Sequence, residues 1–396
     1  MKRITITTLV TALVVLAIAA GYHFAVNRTP ELDLLKVGFI LESDNSTPYT
    51  YNFALAQTAL EREYPGRVQV LSRTNVPDTE TEEPLRDLVR QGCGIIFANN
   101  YSDEVHAMAL EYPNVQFCQA SFPDARVNAD ADNFHTFNAE IYQGRYVSGI
   151  VAGMKLREMI DDGIIAPDQA LVGFVGGFPT PEVISGYTAF LLGVRSVAPE
   201  ATMRVRYIGT WCSYSKEKAC AKALIDEGCV IICQHTNTFG PAMACEEAAA
   251  TRRVYHVGYN QSMIDVAPTT SLVSTRINWT PYITRAVSAV LEHKSIEKTV
   301  GGRAFGNDAC AGFDEDWVEI MELNEHIAAR GTQARISRAV EAFRKGSLNV
   351  FKGDYTGVDP DNPADTCDLK RGYSENSEHS FPTFHYVLDD IITVEE

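Results

Sequence analysis

Strand-like and helix-like segments alternate along most of the chain, and this alternation constrains the fold more than any other feature. In the first half the apolar segments are KVGFIL, RVQVLSR, GIIFAN and VQFCQAS, separated by helical patterns at about 52–63, 82–91 and 103–111. After a long helical pattern at about 141–159, the cycle restarts near Ala170 with ALVGFVGG, MRVRYIGTW, VIICQHT and RVYHVGYN. Such alternation predicts parallel sheets with helices on both faces. Because it occurs twice, we expect an α/β protein with two doubly wound lobes and a cleft between their strand ends.

The order of these segments also predicts the lobe boundaries. At 396 residues the chain exceeds one typical hydrophobic core. We assign residues 36–138 plus 278–291 to the first lobe and residues 139–277 plus 296–396 to the second. In the tail, WVEIMEL and NVFKG are predicted strands, 337–345 is a predicted helix, and about 353–380 is a predicted polar loop.

The first residues predict export. MKR precedes an apolar run from Leu9 to Ala20, and AIA offers small residues for cleavage. Residues 1–28 are therefore predicted to be a signal peptide or an uncleaved N-terminal anchor. Both alternatives place the remaining chain outside the cytoplasm, in the periplasm or on the outer face of the plasma membrane. No Cys follows the run, so lipid attachment through an N-terminal Cys is not expected.

Nine cysteines agree with an oxidising compartment, and their odd number leaves at least one unpaired in a monomer. Spacing does not fix the connectivity. The favoured disulfides are Cys93 with Cys118, in successive predicted strands, and Cys212 with Cys220, on either side of one loop.

A metal site is not expected from the cysteines. Cys229, Cys233 and His235 would share one face of a strand. No second cluster supplies a fourth ligand at zinc-finger spacing, so buried thiols or disulfides are the preferred interpretation.

The charge balance excludes two classes of partner. The formal net charge is -17, whereas nucleic acids and anionic membranes require a basic face. A nucleic-acid-binding function is therefore not expected.

Five stretches carry a resemblance to a known family. They are YTYN at 49–52, IYQGRYVSGIVAG at 141–153, VGFVGGFPTPEVISGYTAFLLGV at 172–194, the segment at 209–240, and HVGYNQS at 256–262. In these motifs the chain, from about residue 36 to 352, resembles the basic membrane protein family, the purine nucleoside receptor-like substrate-binding proteins of ABC transporters. The resemblance implies a type I periplasmic-binding fold with a three-segment hinge, an ABC permease as partner, no catalytic residues and no cofactor.

Aromatic and polar residues at the predicted strand ends indicate the ligand class. Opposing aromatic side chains can sandwich a planar base, at about 1–3 kcal/mol per stacked base, and polar neighbours can bind ribose hydroxyls. The predicted ligand-binding residues are Asp44, Tyr49, Tyr51, Asn52, Asn100, Phe178, Trp211, Asn237, Asn260 and Arg276. Further candidates at the same edge are Asn99, His235, Phe122 and Phe137. We expect Tyr51 and Asn52 to face Trp211 and Asn237 across the cleft, with Asn260 and Arg276 near the hinge.

Two departures from the family pattern leave the ligand open. Asn260 stands where the family has an acid, and Arg276 where it has a Lys. An amide both donates and accepts hydrogen bonds, and Arg prefers planar acceptors. A modified nucleoside, a free base or a sugar-like ligand is therefore also compatible with the sequence.

The favoured function is a monomeric extracytoplasmic solute-binding protein that captures a nucleoside-like ligand by lobe closure and delivers it to an ABC importer. One alternative is a ligand-sensing module for a membrane receptor. Another is a nucleoside hydrolase with paired carboxylates such as Asp44 and Asp103. The chain has no Gly-x-Ser-x-Gly nucleophile motif, so an enzyme is not favoured.

Overall fold

The computed structural model describes residues 34–121 and 130–395. The strands are β1 (Leu35–Ile40), β2 (Val68–Arg73), β3 (Cys93–Ala98), β4 (Gln116–Ala120), β5 (Phe134–Ala139), β6 (Leu171–Gly176), β7 (Thr202–Tyr207), β8 (Ile231–His235), β9 (Tyr255–Tyr259), β10 (Ser271–Ile277), β11 (Arg303–Phe305), β12 (Asp308–Ala311), β13 (Val318–Ile320), β14 (Thr356–Val358), β15 (Thr366–Asp368) and β16 (Ile392–Glu395). The helices are α1 (Pro48–Glu63), α2 (Glu82–Arg90), α3 (Glu104–Glu111), α4 (Ile141–Asp161), α5 (Pro181–Arg195), α6 (Tyr214–Asp226), α7 (Gly240–Ala248), α8 (Thr280–Leu291), α9 (Glu297–Val300) and α10 (Thr332–Arg344).

Two seven-stranded sheets form the two lobes. Their strand orders are β11-β12-β5-β4-β3-β1-β2 and β13-β10-β9-β8-β6-β7-β16. Apart from the antiparallel pairs β11/β12 and β10/β13, all neighbours are parallel. The inner strands are almost wholly buried because helices cover both faces. The α/β prediction, with two doubly wound sheets, is confirmed.

Three chain segments connect the two sheets. They lie between β5 and α4, between β10 and α8, and between β12 and β13. Helix α4 packs against β10 and β13 of the second sheet, whereas α8 packs against α1 and β3 of the first. This connectivity is the three-segment hinge that the resemblance implied.

The glycines of α4 allow a close helix contact. A Cβ atom at Gly149 would overlap the carbonyl oxygen of Phe190 in α5, and one at Gly193 would overlap that of Tyr146 in α4. Because neither residue has a side chain, the two helix backbones touch directly. The second lobe is built around this contact.

The C-terminal part differs from the prediction in four places. Strand β12 pairs with β5 and β11 pairs with β12, so residues 303–311 belong to the first sheet although 296–396 was assigned to the second lobe. NVFKG is not a strand. Its apolar residues Val350 and Phe351 are buried by packing, but the segment does not pair with a strand. Helix α10 starts at Thr332, five residues before the predicted start. The predicted loop at 353–380 contains the hairpin β14–β15 and the buried Leu369.

Short strands explain the first and the last of these errors. Each of β11, β14 and β15 has three residues, too few for an alternating apolar pattern. The chain then returns through β16 to pair with β7 at the edge of the second sheet.

The predicted disulfides are wrong. All nine cysteines lie in the described part of the chain and are free. The register places Cys118 opposite Phe97, several residues along the strand from Cys93. Cys212 is exposed in a loop, and Cys220 lies on α6 without bonding to it. Burial raises the pKa of the Cys118 thiol above its usual range, so this thiol stays protonated and unreactive.

The proposed signal peptide or anchor at 1–28 lies outside the described residues. In residues 34–121 and 130–395, none of the helices combines the length and the apolar character needed to cross a bilayer.

Candidate ligand-binding site

A cavity lies between the two lobes, where the carboxyl ends of the parallel strands face each other. The first lobe contributes Glu42, Tyr49, Tyr101 and Ser121, and the second contributes Glu182, Trp211, His235, Asn237 and Tyr259. Four of these side chains are Tyr or Trp, and two are carboxyls that face the cavity from opposite lobes. The arrangement combines flat apolar surfaces with groups that can accept hydrogen bonds.

The carboxyl of Glu42 enters the cavity from the first lobe. Glu42 follows β1, and its backbone N–H donates to Asn99 Oδ1 at 2.8 Å, which fixes the loop. Burial, reinforced by the nearby charge of Asp78, raises the pKa of the Glu42 carboxyl to about 7. At neutral pH this group can therefore accept a hydrogen bond when ionised or donate one when protonated.

The tyrosines of the YTYN segment lie on a helix, not in a loop. Helix α1 begins at Pro48, whose fixed φ angle and missing N–H suit the first helical position. Tyr49 is therefore on the first turn and points inward, edge-on to Phe53 and Trp279 at ring-centroid distances of 5.7 and 6.2 Å. Tyr51 points outward and is 39% exposed. Tyr49, and not Tyr51, presents its ring to the cavity.

A second buried carboxyl, Glu182, lies on the first turn of α5. Burial raises its pKa to about 7, although Arg145 acts in the opposite direction. His235, at the end of β8, has Nε2 3.9 Å from Glu182 Oε1. Burial and the charge of Arg145 hold the pKa of His235 well below its usual range, so the imidazole is neutral. Its buried Nδ1 has no hydrogen-bond partner in the described structure.

Arg145 is a fully buried cation behind the cavity. Its guanidinium carbon lies 3.8 Å from the ring centroid of Tyr259, and Nη1 donates to the carbonyl oxygen of Gln234 at 2.8 Å. Among the described residues, its Nε and Nη2 have no hydrogen-bond partner. Buried polar groups are normally paired, so these two nitrogens remain available as hydrogen-bond donors beside Tyr259 and Glu182.

Trp211 forms the aromatic wall of the second lobe. Phe178 packs against it at a ring-centroid distance of 5.0 Å, and His235 lies 6.2 Å from it on another side. The backbone N–H of Asn237 donates to the Trp211 carbonyl at 2.8 Å, which joins the loops after β7 and β8. These contacts hold the indole at the cavity.

A pair of amides connects the lobes beside the hinge. Asn52 Nδ2 on α1 donates to Asn260 Oδ1 at 3.3 Å. The same oxygen accepts from the backbone N–H of Ile277 at 3.2 Å. Asn260 has a φ of 61°, a left-handed conformation that Asn tolerates better than most residues. Asn52 Oδ1 and Asn260 Nδ2 are buried and have no partner in the described residues.

The ten predicted residues divide into three groups. Tyr49, Trp211 and Asn237 line the cavity. Asn52, Asn260 and Phe178 lie next to it, through the amide pair and the Trp211 contact.

The remaining four are engaged elsewhere. Asp44 is exposed and accepts from the backbone N–H of Ser46, and Tyr51 faces solvent. Asn100 donates to Thr81 Oγ1 at 2.6 Å. Arg276 Nε donates to Glu319 Oε2 at 2.7 Å, so its guanidinium is already paired.

Two further candidates have other positions. Phe137 stacks on Tyr282 in the core at 3.8 Å, and Phe122 lies outside the described residues.

The cavity residues absent from those ten are Glu42, Tyr101, Ser121, Glu182, His235 and Tyr259. The polar and aromatic residues directly after each strand pattern would have pointed to Glu42 and Tyr101. Arg145 also marked this region in the sequence, because it is a charged residue on a helix rich in Gly and apolar residues.

The cavity is small in this structure. Its volume of about 30 Å³ has room for only a few waters. A ligand as large as a nucleoside therefore requires the lobes to separate before it enters.

Comparison with known proteins identifies the family. A match to the family described as PnrA-like ABC transporter substrate-binding proteins spans residues 36–346. A purine-binding protein of Brucella abortus is 30% identical over 344 residues, which cover 86% of this chain and 89% of that protein. A Haloferax volcanii protein named for glucose binding in ABC transport is 30% identical over 209 residues, 52% of this chain and 48% of its own length.

A solved structure supports the fold. The solute-binding protein of an ABC transporter system from Conexibacter woesei superposes with a TM-score of 0.61 at 18% identity, covering 79% of this chain and 97% of that one. With a match over residues 36–346 and a purine-binding relative along most of its length, the chain belongs to the PnrA-like family of ABC transporter substrate-binding proteins.

Proposed function

We propose that this protein captures a purine nucleoside or a free purine base in the cavity between its lobes and delivers it to an ABC importer outside the cytoplasm. The observation that carries the proposal is the cavity itself, in which aromatic rings and a carboxyl from each lobe converge. The named purine-binding relative of Brucella abortus supports the same ligand class.

The aromatic rings suit a planar base. Tyr49 enters from the first lobe and Trp211 from the second, so a base bound between the lobes has an aromatic side chain on either side. Each stacked base is worth about 1–3 kcal/mol. An amino acid ligand would not need this surface.

The two carboxyls suit a ligand rich in hydrogen-bond donors. A purine carries ring or exocyclic N–H groups, and a nucleoside adds ribose hydroxyls. Glu42 and Glu182 can accept from such donors as carboxylates. Since burial makes each ionised form costly in the empty cavity, hydrogen bonds from the ligand relieve that cost and favour binding.

Lobe closure is the proposed mechanism. A ligand that contacts both lobes binds the closed form better than the open form and so shifts the population toward closure. The three hinge segments permit this rotation, and the pair Asn52–Asn260 connects the two lobes in the present arrangement. No catalytic step is proposed, because Asp44 and Asp103 of the hydrolase alternative do not line the cavity.

A sugar is the second candidate ligand. Aromatic rings and carboxyls also bind sugars, and the Haloferax volcanii relative is named for glucose. Its similarity covers about half of this chain, so the purine assignment is preferred.

Titration calorimetry with adenosine, guanosine, inosine, the corresponding bases, glucose and ribose tests the proposal. Saturable binding of at least one purine compound, with no binding of the sugars, is expected. Trp211→Ala should weaken that binding, whereas Tyr51→Ala, on the outer face of α1, is the matched control. Binding of glucose alone would establish the sugar alternative, and equal affinity of wild type and Trp211→Ala would place the ligand elsewhere.

A further inference from the structure

Three metal-ligating side chains converge in the C-terminal segment, beyond the region that matches the family. Asp359 follows β14, and Asp365 precedes β15 of the same hairpin. A bridge between Val358 and Val387 brings His385 to them. One ligand atom from each of the three side chains lies within 4.8 Å of the others.

The imidazole of His385 is oriented as a ligand. Its Nδ1 lies 2.8 Å from the carbonyl oxygen of Thr383. Since a carbonyl oxygen only accepts, Nδ1 carries the hydrogen in this bond. In the neutral ring Nε2 then has the free lone pair, and it lies 3.7 Å from Asp359 Oδ2. A His whose second ring nitrogen donates to a backbone carbonyl is the usual arrangement at metal sites.

Neither carboxylate, that of Asp359 or that of Asp365, has a Lys or Arg as its partner among the described residues. The Asp359 side chain is only 16% exposed. Asp365 Oδ1 accepts a long hydrogen bond of 3.4 Å from the Tyr386 hydroxyl. With a neutral imidazole, two carboxylates and a nitrogen lone pair face one point, an arrangement that a cation between them stabilises.

We propose that Asp359, Asp365 and His385 bind a divalent transition-metal ion, with zinc the best match to one nitrogen and two oxygen ligands. Three protein ligands leave a fourth position for water. The ion would fasten the β14–β15 hairpin to the segment before β16, and so would fix the C-terminal segment on the second lobe. The site shares no residue with the interlobe cavity, so its test is independent of the proposed function.

Calorimetric titration of chelator-treated protein with Zn²⁺ tests the site. Wild-type protein should bind about one equivalent and melt at a higher temperature with the ion, because the ion binds the folded state. His385→Ala should lower the affinity by more than the roughly 10–100-fold that loss of an outer-shell partner costs. His326→Ala removes an exposed imidazole elsewhere and should change nothing.

Two further measurements keep the result interpretable. Asp365→Asn alters an exposed side chain without a structural ion pair, so it should fold normally and still bind Zn²⁺ more weakly. A Co²⁺ absorption spectrum without a thiolate charge-transfer band would exclude the free cysteines as ligands. The proposal is refuted if wild type does not bind Zn²⁺, if both variants bind it as tightly as wild type, or if the Co²⁺ band reports thiolate ligation.

Discussion

Replacing Glu182 with Gln should change how the stability of this protein depends on pH. Glu182 is buried beside the cavity, and burial raises its pKa from the usual 4.5 to about 7. In the unfolded chain the carboxyl ionises near pH 4.5, whereas in the folded protein it keeps its proton until about pH 7. Between these values the folded state binds more protons, so the free energy of unfolding falls as pH rises.

The magnitude follows from the same two values. The change in pKa corresponds to a loss of about 3 kcal/mol in the free energy of unfolding. This loss is complete above pH 7 and absent below pH 4.5. Glu182→Gln removes this contribution. The free energy of unfolding of the variant, relative to that of wild type, should therefore be about 2–3 kcal/mol higher at pH 8 than at pH 5. Glu42 also has a raised pKa, but it is present in both proteins and cancels in the comparison.

Urea unfolding at the two pH values, followed by tryptophan fluorescence, measures this difference. Glu322→Gln, at an exposed glutamate of the second lobe, is the control and should not alter the pH dependence. An identical pH dependence for wild type and Glu182→Gln would mean that Glu182 is hydrated in solution. In that case the closed arrangement of the lobes would not be the populated one, and the reasoning from burial would fail.

Three other results are expected. Trp211→Ala should weaken binding of the purine ligand by about 1–3 kcal/mol, measured by calorimetry, with Tyr51→Ala unchanged; equal losses would mean that the aromatic wall is misassigned. Gly149→Ala should destabilise the fold by about 1–3 kcal/mol in urea unfolding, because the added methyl overlaps the carbonyl oxygen of Phe190; unchanged stability would contradict the direct α4–α5 contact. Thiol titration of denatured, unreduced protein should count nine thiols, with Cys212 reacting first in the native state; seven or fewer would show that a disulfide forms.

The repeated lobe architecture could be read from the sequence because its signals are local. An apolar run such as VGFIL and the polar residues after it mark a strand and its carboxyl end without reference to any other part of the chain. The family resemblance in residues 172–194 and in the other motifs then predicted the hinged two-lobe fold. Strands β11 and β12 were assigned to the wrong lobe because strands of three and four residues are defined by their pairing partners and not by their own pattern; here β12 pairs with β5, and β11 pairs with β12.

The cavity was predicted less well because the direction of a side chain depends on where its helix begins. Placing the start of α1 at Asn52 left both Tyr49 and Tyr51 in a loop, free to point at a ligand. With the start at Pro48, two residues separated by two positions lie on different faces of the helix. Tyr49 therefore points into the cavity, and Tyr51 points toward solvent. A proline one residue before Tyr49 was the local sign of the earlier start.

Of the two cavity carboxyls, Glu42 stands just after the first strand pattern, whereas Glu182 has no such mark and looks like any of the 51 acidic residues of the chain. Both are buried in the folded protein, and burial is a property of the assembled structure. Arg145 is different, since a cation within a helix of glycines and apolar residues must either face solvent or have a buried partner. Its position under Tyr259, with the carboxyl of Glu182 nearby, shows that the polar end of the cavity is supported from within the second lobe. In the proposed lobe closure, the first lobe would bring Glu42, Tyr49, Tyr101 and Ser121 to a site whose other half is already in place.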